Sequence, residues 1–441
     1  MSFNTELFAG AAKIDITPAL GCLLFGYSVE RRAERIMDPL SATAIAVKQN
    51  DNTIILISAE LCLLSIETTN RLRTEIAELT GVKWENVIIG SIHTHSGPIT
   101  ITTSGWGPAD YDYIQNELPP KIKKIAVDAL NDLKPAVVGV GTSQTLTGIN
   151  RREIDKDGNV ILGQNPNAPY DPTMTLVCFK ATDGEYIGSF MHFGAHPTAA
   201  ARNVAFTRDW PSLMIDKVEQ LTSAPAMFFN GAIGDVGPRL SNGRTTGGEE
   251  YVIEAGLIAA KDIEVAFNNI KSYDKPKLSL VYGSLLLTYV EPPTREFAEE
   301  RVAFYEAHPD EIEGVRASQY DQMKKVKEIY ESGNEFPKGV EIPQTLISLG
   351  DLAIVPAPFE AFCNIALALR EKSPFTNTIM LGVTNGHYCY LPTEDQLEFG
   401  GYEVDSFKGA GIVSFVDDTD KHFINQNVKL LNDLYKQYER N

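Results

Sequence analysis

Apolar runs rich in β-branched residues alternate with stretches of helical period through the first half of this chain, and that alternation restricts it to an α/β fold. Thr53 to Ala59 (TIILISA) reads as a buried strand. A helical stretch follows, with Leu72, Ile76 and Leu79 on one face and Gly81 as its stop. Asn86 to Ile92 (NVIIGSI) is a second buried strand, and a strand–helix–strand unit favours a parallel pair. Further strands are expected at Ala136 to Val140, Tyr186 to Phe190 and Ala226 to Phe229. Helices are expected at Tyr113 to Leu133, at Trp210 to Leu221 with Asp209 as N-cap and Pro211 in the first turn, at Glu249 to Ile270, and from Thr419. Thr345 to Leu349 and Leu352 to Val355 form a hairpin across Gly350-Asp351. The resulting expectation is mixed sheets layered with helices in a single domain over residues 1–441. A charged, solvated helical insertion interrupts it at about 291–340.

Charge narrows the partners. The net charge is −19, which excludes nucleic acid and docking on an anionic membrane, since both need surplus Lys and Arg. Cys22, Cys62, Cys178, Cys363 and Cys389 are scattered, odd in number and without a CxxC pair, so they read as buried free thiols. No apolar run reaches the ~18 residues of a membrane span. The N-terminus lacks the basic start and apolar core of a secretion signal, so the expected compartment is the cytoplasm. The expected partner is a small-molecule substrate, and the sequence sets no oligomeric state.

Histidine placement is the chemical signal. Four of the seven histidines sit in two short segments, His93 with His95 and His192 with His196. His93 and His95 directly follow a buried strand, where α/β sheets place ligands, and residues two apart on a strand share a face. The pair reads either as metal ligands or as two polar loop residues. His196 ends a second strand-like run, and Pro197 blocks its continuation. Two histidine-bearing strand ends together favour a shared zinc site over separate buried residues. Glu360, after the Pro356-Ala357-Pro358-Phe359 turn, reads either as a carboxylate ligand or as an acid at a helix N-terminus.

Six ordered motifs carry a resemblance to the catalytic domain of the neutral ceramidases, zinc amidases that hydrolyse the N-acyl bond of ceramide. They are HTHSGP at 93–98, INRR at 149–152, DPTMTL at 171–176, AHP at 195–197, NGAIGDVGP at 230–238, and CYLPT followed by GGYEV within 389–404. The resemblance runs from AAKIDITP near residue 11 to the Tyr402 region. It implies one Zn2+ per chain held by His93, His196, Glu360 and Tyr390. It also implies His95, Arg151 and Tyr402 as catalytic polar groups around the scissile carbonyl.

The match departs at informative places. Gly237 stands where the family has the serine of GDVSP. A single well-placed donor is worth roughly 2.7–4 kcal/mol, so metal-assisted hydrolysis survives its loss whereas a serine-nucleophile route does not. Gly237 is read as substrate-binding, either widening the pocket or presenting a backbone N–H. The family's β-sandwich extension and secretion signal are not found in this sequence, and His192 and the Thr207 to Pro211 run also differ. Arg208 reads either as a reader of an anionic substrate group or as a structural ion pair. The expected function is zinc-dependent hydrolysis of a linear, non-peptide amide of a small soluble N-acyl substrate by metal-activated water. Carboxylic ester or lactone cleavage is the near alternative, and a non-catalytic metal- or ligand-binding protein is the rival of a different class.

Overall fold

The computed structural model describes residues 6–27, 30–102 and 107–439. Of the N-terminal stretch examined above for a leader, residues 1–5 lie outside that description. Eight strands form the main sheet, in the order Ala226–Asn230, Tyr186–Phe193, Thr173–Ala181, Lys134–Gln144, Leu7–Asp15, Ser41–Gln49, Asn52–Ala59 and Val87–Ser91. The two outermost pairs are parallel and the interior ones antiparallel. The Asn52–Ala59 and Val87–Ser91 pair is the parallel unit expected from the strand–helix–strand pattern. The sheet curls until its far ends meet. The Ser58 hydroxyl donates to the Phe228 carbonyl at 2.6 Å, and the Asn230 amide donates to the Ile92 carbonyl.

A second sheet orders Leu278–Thr288, Gly339–Leu349, Leu352–Pro356 and Asn377–Leu381. Its inner residues, such as Leu280, Ile347 and Ile354, interdigitate with Ile45, Leu56, Val177 and Phe190 of the main sheet. Helices close both outer faces. Ile66–Thr80 and Leu118–Asn131 cover one half of the main sheet and Pro211–Thr222 and Glu249–Asn268 the other. Cys363–Lys372 and Thr419–Glu439 cover the second sheet. Alternate residues of each strand therefore face a sheet–sheet core or a sheet–helix core, which is why the strands read as apolar throughout.

Local expectations hold with two corrections. Gly81 ends the Ile66–Thr80 helix at φ 72, a conformation that suits glycine, but Leu79 is 60% exposed and only Leu72 and Ile76 face the core. Asp209 is not the N-cap of the next helix. That position is Trp210, with no side-chain cap, and the Asp209 carboxylate instead accepts the N–H groups of Ala199 (3.0 Å), Ala200 (2.8 Å) and Trp210 (2.7 Å). It ties the loop after His196 to the helix start.

The charged insertion forms two helices, Arg295–Ala307 and Val315–Ser332, with a small core of Ala298, Val302, Met323 and Val326. It is more than a solvated appendage. Gln322 donates to the Ala410 carbonyl at 3.0 Å, and Val315 and Ser318 form part of the roof over a deep cavity. Among the described residues no helix is long and apolar enough to cross a membrane, and all five cysteines are free.

Candidate active site

The curl of the main sheet brings two of its strand ends together. His93 lies two residues past Val87–Ser91 and His196 three past Tyr186–Phe193. His93 sits at φ 65, a left-handed conformation that non-glycine residues seldom adopt. That turn, rather than alternation along a strand, aims its ring. Its Nδ1 is 2.9 Å from the Cys62 carbonyl, and His196 Nδ1 is 2.6 Å from the Ile233 carbonyl. Both rings are thereby oriented with Nε2 turned to the same point, the second-sphere arrangement that holds imidazole ligands.

Glu360 meets them there. Oε2 is 2.9 Å from His196 Nε2 and 3.3 Å from His93 Nε2. The residue occupies a short strand, Phe359–Ala361, and not a helix start, since the helix begins at Cys363. This strand pairs in parallel with Cys389–Leu391, register Glu360 to Tyr390, so the phenol joins the carboxylate. The Tyr390 hydroxyl is 3.3 Å from His196 Nε2. All four side chains are buried. The donor atoms of His93, His196 and Glu360 lie within 4.8 Å of one another. Two Nε2 atoms, a carboxylate and a phenol fit a first-row divalent ion. Cys62, His93 and His95 form a second group within that span, sharing His93 with the first.

Charge is held in an orderly way. Burial opposes ionisation of Glu360, yet His93, His196 and His387 hold its pKa well below the ordinary carboxylate value. His196 is pushed down to about 3 by burial and by Arg151, leaving a neutral ring. His387 was not visible as a site residue in the sequence. Its Nε2 stands 2.9 Å from Glu360 Oε1 and fixes the oxygen turned away from His93 and His196.

The groups expected around a carbonyl surround this cluster. Among the described residues neither ring nitrogen of His95 has a hydrogen-bond partner, and its ring lies 5.0 Å from His93 and 5.9 Å from His196. Burial and those two rings keep its pKa well below the ordinary imidazole value. Arg151 donates to the Tyr390 hydroxyl at 3.0 Å and to Glu403 at 2.9 Å, while Arg152 takes the other Glu403 oxygen at 2.9 Å. Glu403 also escaped the sequence reading. The signal for it was the INRR doublet, because two buried guanidinium groups need an acid. Tyr402 opens the helix Tyr402–Lys408, its ring 5.8 Å from that of Tyr390, and burial with Glu360 nearby moves its pKa up to about 12.

Two cavities meet here. One of about 380 Å³ reaches His93, His95, Glu360, Tyr390 and Tyr402 beneath the roof helix. Another of about 920 Å³ shares His95, Tyr390 and Tyr402 and extends past Arg151.

Two residues expected to bind substrate are placed elsewhere. Arg208 is consumed by its own chain, at 2.7 Å from Asp38 and 2.9 Å from Asp216, so it is a structural ion pair. Gly237 lies in a buried strand, Val236–Pro238, beneath Thr245; a Cβ there would stand 2.7 Å from Thr245 Cβ. Close packing against Thr245 is what demands glycine, and it is Thr245 that faces the larger cavity. His192 also stays apart, with Nε2 2.9 Å from the Met380 carbonyl.

Comparison with known proteins identifies the family and the fold. The chain is 28% identical over 210 residues to a neutral ceramidase of Oryza sativa subsp. japonica, covering 44% of this chain and 26% of that protein. It is 25% identical over 216 residues to neutral ceramidase 1 of Arabidopsis thaliana, covering 45% and 27%. The matched stretch thus spans about a quarter of either relative. The crystal structure of neutral ceramidase from Pseudomonas aeruginosa superposes with a TM-score of 0.75 at 17% identity, over 98% of this chain and 75% of that one. This likeness establishes the shared fold. Residues 8–243, more than half of the chain, match the N-terminal family of neutral/alkaline non-lysosomal ceramidases, and the protein belongs to that family.

Proposed function

We propose that this chain is a zinc-dependent amidohydrolase that cleaves the C–N bond of a small, soluble N-acyl substrate with water. The observation that carries the reading is the convergence of His93, His196, Glu360 and Tyr390 from two sheets, directly beside His95, Arg151 and Tyr402. The names of the plant relatives support the bond class, since a ceramidase acts on an N-acyl amide.

His93, His196, Glu360 and Tyr390 would hold the ion, one per chain. Zinc supplies Lewis acidity there, polarising an acyl oxygen and lowering the pKa of water from ~15.7 to about 7. The protein's own groups do the rest. His95, neutral and with neither nitrogen bonded among the described residues, takes the proton released by the attacking water and returns it to the leaving nitrogen. Arg151 keeps positive charge on the oxygen side of the reaction and steadies the Tyr390 oxygen. Tyr402 keeps its proton at neutral pH and donates it in a hydrogen bond to the acyl oxygen. His387 and Glu403 position Glu360 and Arg151.

Gly237 does not favour a silent binding protein, because packing against Thr245 accounts for it. The test is zinc content by elemental analysis with turnover of N-acyl amides, esters and lactones, before and after chelation. One zinc per chain and chelator-sensitive amide cleavage, restored by zinc, are expected. Faster ester or lactone cleavage would move the assignment to that bond. Zinc-loaded protein inert on the whole panel would overturn the hydrolytic reading.

A further inference from the structure

We propose that the larger cavity receives an anionic group of the substrate, which makes the natural substrate an acidic N-acyl amide of the N-acyl amino acid type. The inference takes the hydrolytic reading as its basis for calling the ligand a substrate.

The argument begins from charge. The chain carries 58 acids against 39 Lys and Arg. Yet among the described residues no Asp or Glu lines the 920 Å³ cavity, while three arginines do, Arg151, Arg202 and Arg244. Arg151 is engaged by Glu403 and Tyr390. Among the described residues, the guanidinium groups of Arg202 and Arg244 have no acidic partner. Arg208 shows the alternative fate, closed down by Asp38 and Asp216. In so acidic a protein, an acid-free wall with two uncommitted guanidinium groups is a field suited to an anion.

A second observation is independent of the arginines. The Tyr27 hydroxyl is buried, borders the same cavity and has no hydrogen-bond partner among the described residues. A buried hydroxyl left unpaired is costly, and an incoming acceptor satisfies it. The Tyr27 ring connects the two regions. Arg202 lies 6.0 Å from its centroid and the ring of His95 5.3 Å. Asn242 adds a neutral amide to the wall. An amide placed at His95 and Tyr390, which border both cavities, sends one arm toward Arg202 and Arg244 and the other under the roof helix. A carboxylate accepts paired N–H groups from a guanidinium, and sulfonates and phosphates share that chemistry.

Matched probes separate these sources. N-acetyl amino acids are compared with their uncharged primary amides, with N-acetyltaurine and N-acetylphosphoethanolamine as the sulfonate and phosphate arms. Turnover is measured on the zinc-loaded chain, and binding on chelator-treated chain by titration calorimetry. The expected result is a ten-fold or greater preference for one acidic class over its neutral partner, expressed mainly in KM and weakened by salt. Arg202→Gln with Arg244→Gln should cut that preference at least ten-fold while the melting curve is unchanged. Equal handling of acids and amides by the native chain, or a preference that survives the double substitution, overturns the inference even if amides are hydrolysed. If no probe is hydrolysed but the acids bind and the double variant does not bind them, the anion site stands and the hydrolytic reading falls.

Discussion

Arg151 shows how much one side chain can be asked to do. It bonds the Tyr390 hydroxyl, shares Glu403 with Arg152, and borders the cavity where an acyl oxygen would lie. Arg151→Ala should retain zinc and lower kcat by about 100-fold, the effect of removing one preorganised donor. His93→Ala should lose zinc and activity together, as elemental analysis will show. Glu60 offers a test by pH. It is buried between the Ser41 N–H and Arg208 at 4.0 Å, and burial, outweighing Arg208, moves its pKa from 4.5 to about 7. A raised carboxylate pKa means the folded state holds the proton more tightly. The stability contributed is complete below pH ~4.5 and is lost as pH rises through 7, on the order of 3 kcal/mol for that shift. Glu60→Gln should therefore flatten this part of the stability–pH curve in denaturant titrations from pH 4 to 8. His93, His95 and His196 stood out because strand ends are places where side chains must be explained, whereas His192, singled out with them, bonds the Met380 carbonyl away from the cluster. Glu403 and His387 were not, because each gains meaning only from a partner at Arg151 or Glu360.

At the scale of elements, the helix Val315–Ser332, packed on Arg295–Ala307, reaches the site from outside the sheets. Their four-residue core is separate from the main one. Val326→Asp places a charge in that core, at a cost of several kcal/mol. Hydrogen exchange should show the two helices opening locally, with KM raised several-fold and the main melting transition almost unmoved. The charge and helical period of this segment were plain in the sequence. Its role as a roof was not, because the inward contacts are scattered along one helix, at Val315, Ser318, Asp321, Gln322 and Lys325, with no apolar stripe to mark them. The strands that were read, such as Asn52–Ala59 and Val87–Ser91, stood out because nearly every residue is buried, whereas Leu278–Thr288, with Tyr282 and Leu286 exposed, was missed. The Asp209 cap failed because three N–H groups around it competed successfully for its oxygens.

The whole molecule is joined at its proposed donors. His93 and His196 come from the main sheet, while Glu360 and Tyr390 follow strands of the second. A bound ion would hold the two sheets to each other. Chelation should therefore lower Tm, and free zinc at about 100 times Kd should restore roughly 2.7 kcal/mol. Calorimetry across a zinc series measures this, and a Tm indifferent to zinc would contradict it. The wide spacing of the donors has a further result. Every strand of the main sheet is complete by Asn230, whereas the last donor is Tyr390. During synthesis on the ribosome, a nascent chain can build its larger sheet and still own only half a cage. A frameshift or stop codon between positions 230 and 360 would leave two imidazoles facing an incomplete site, and a truncated product of that kind would be inert however well its first half was formed.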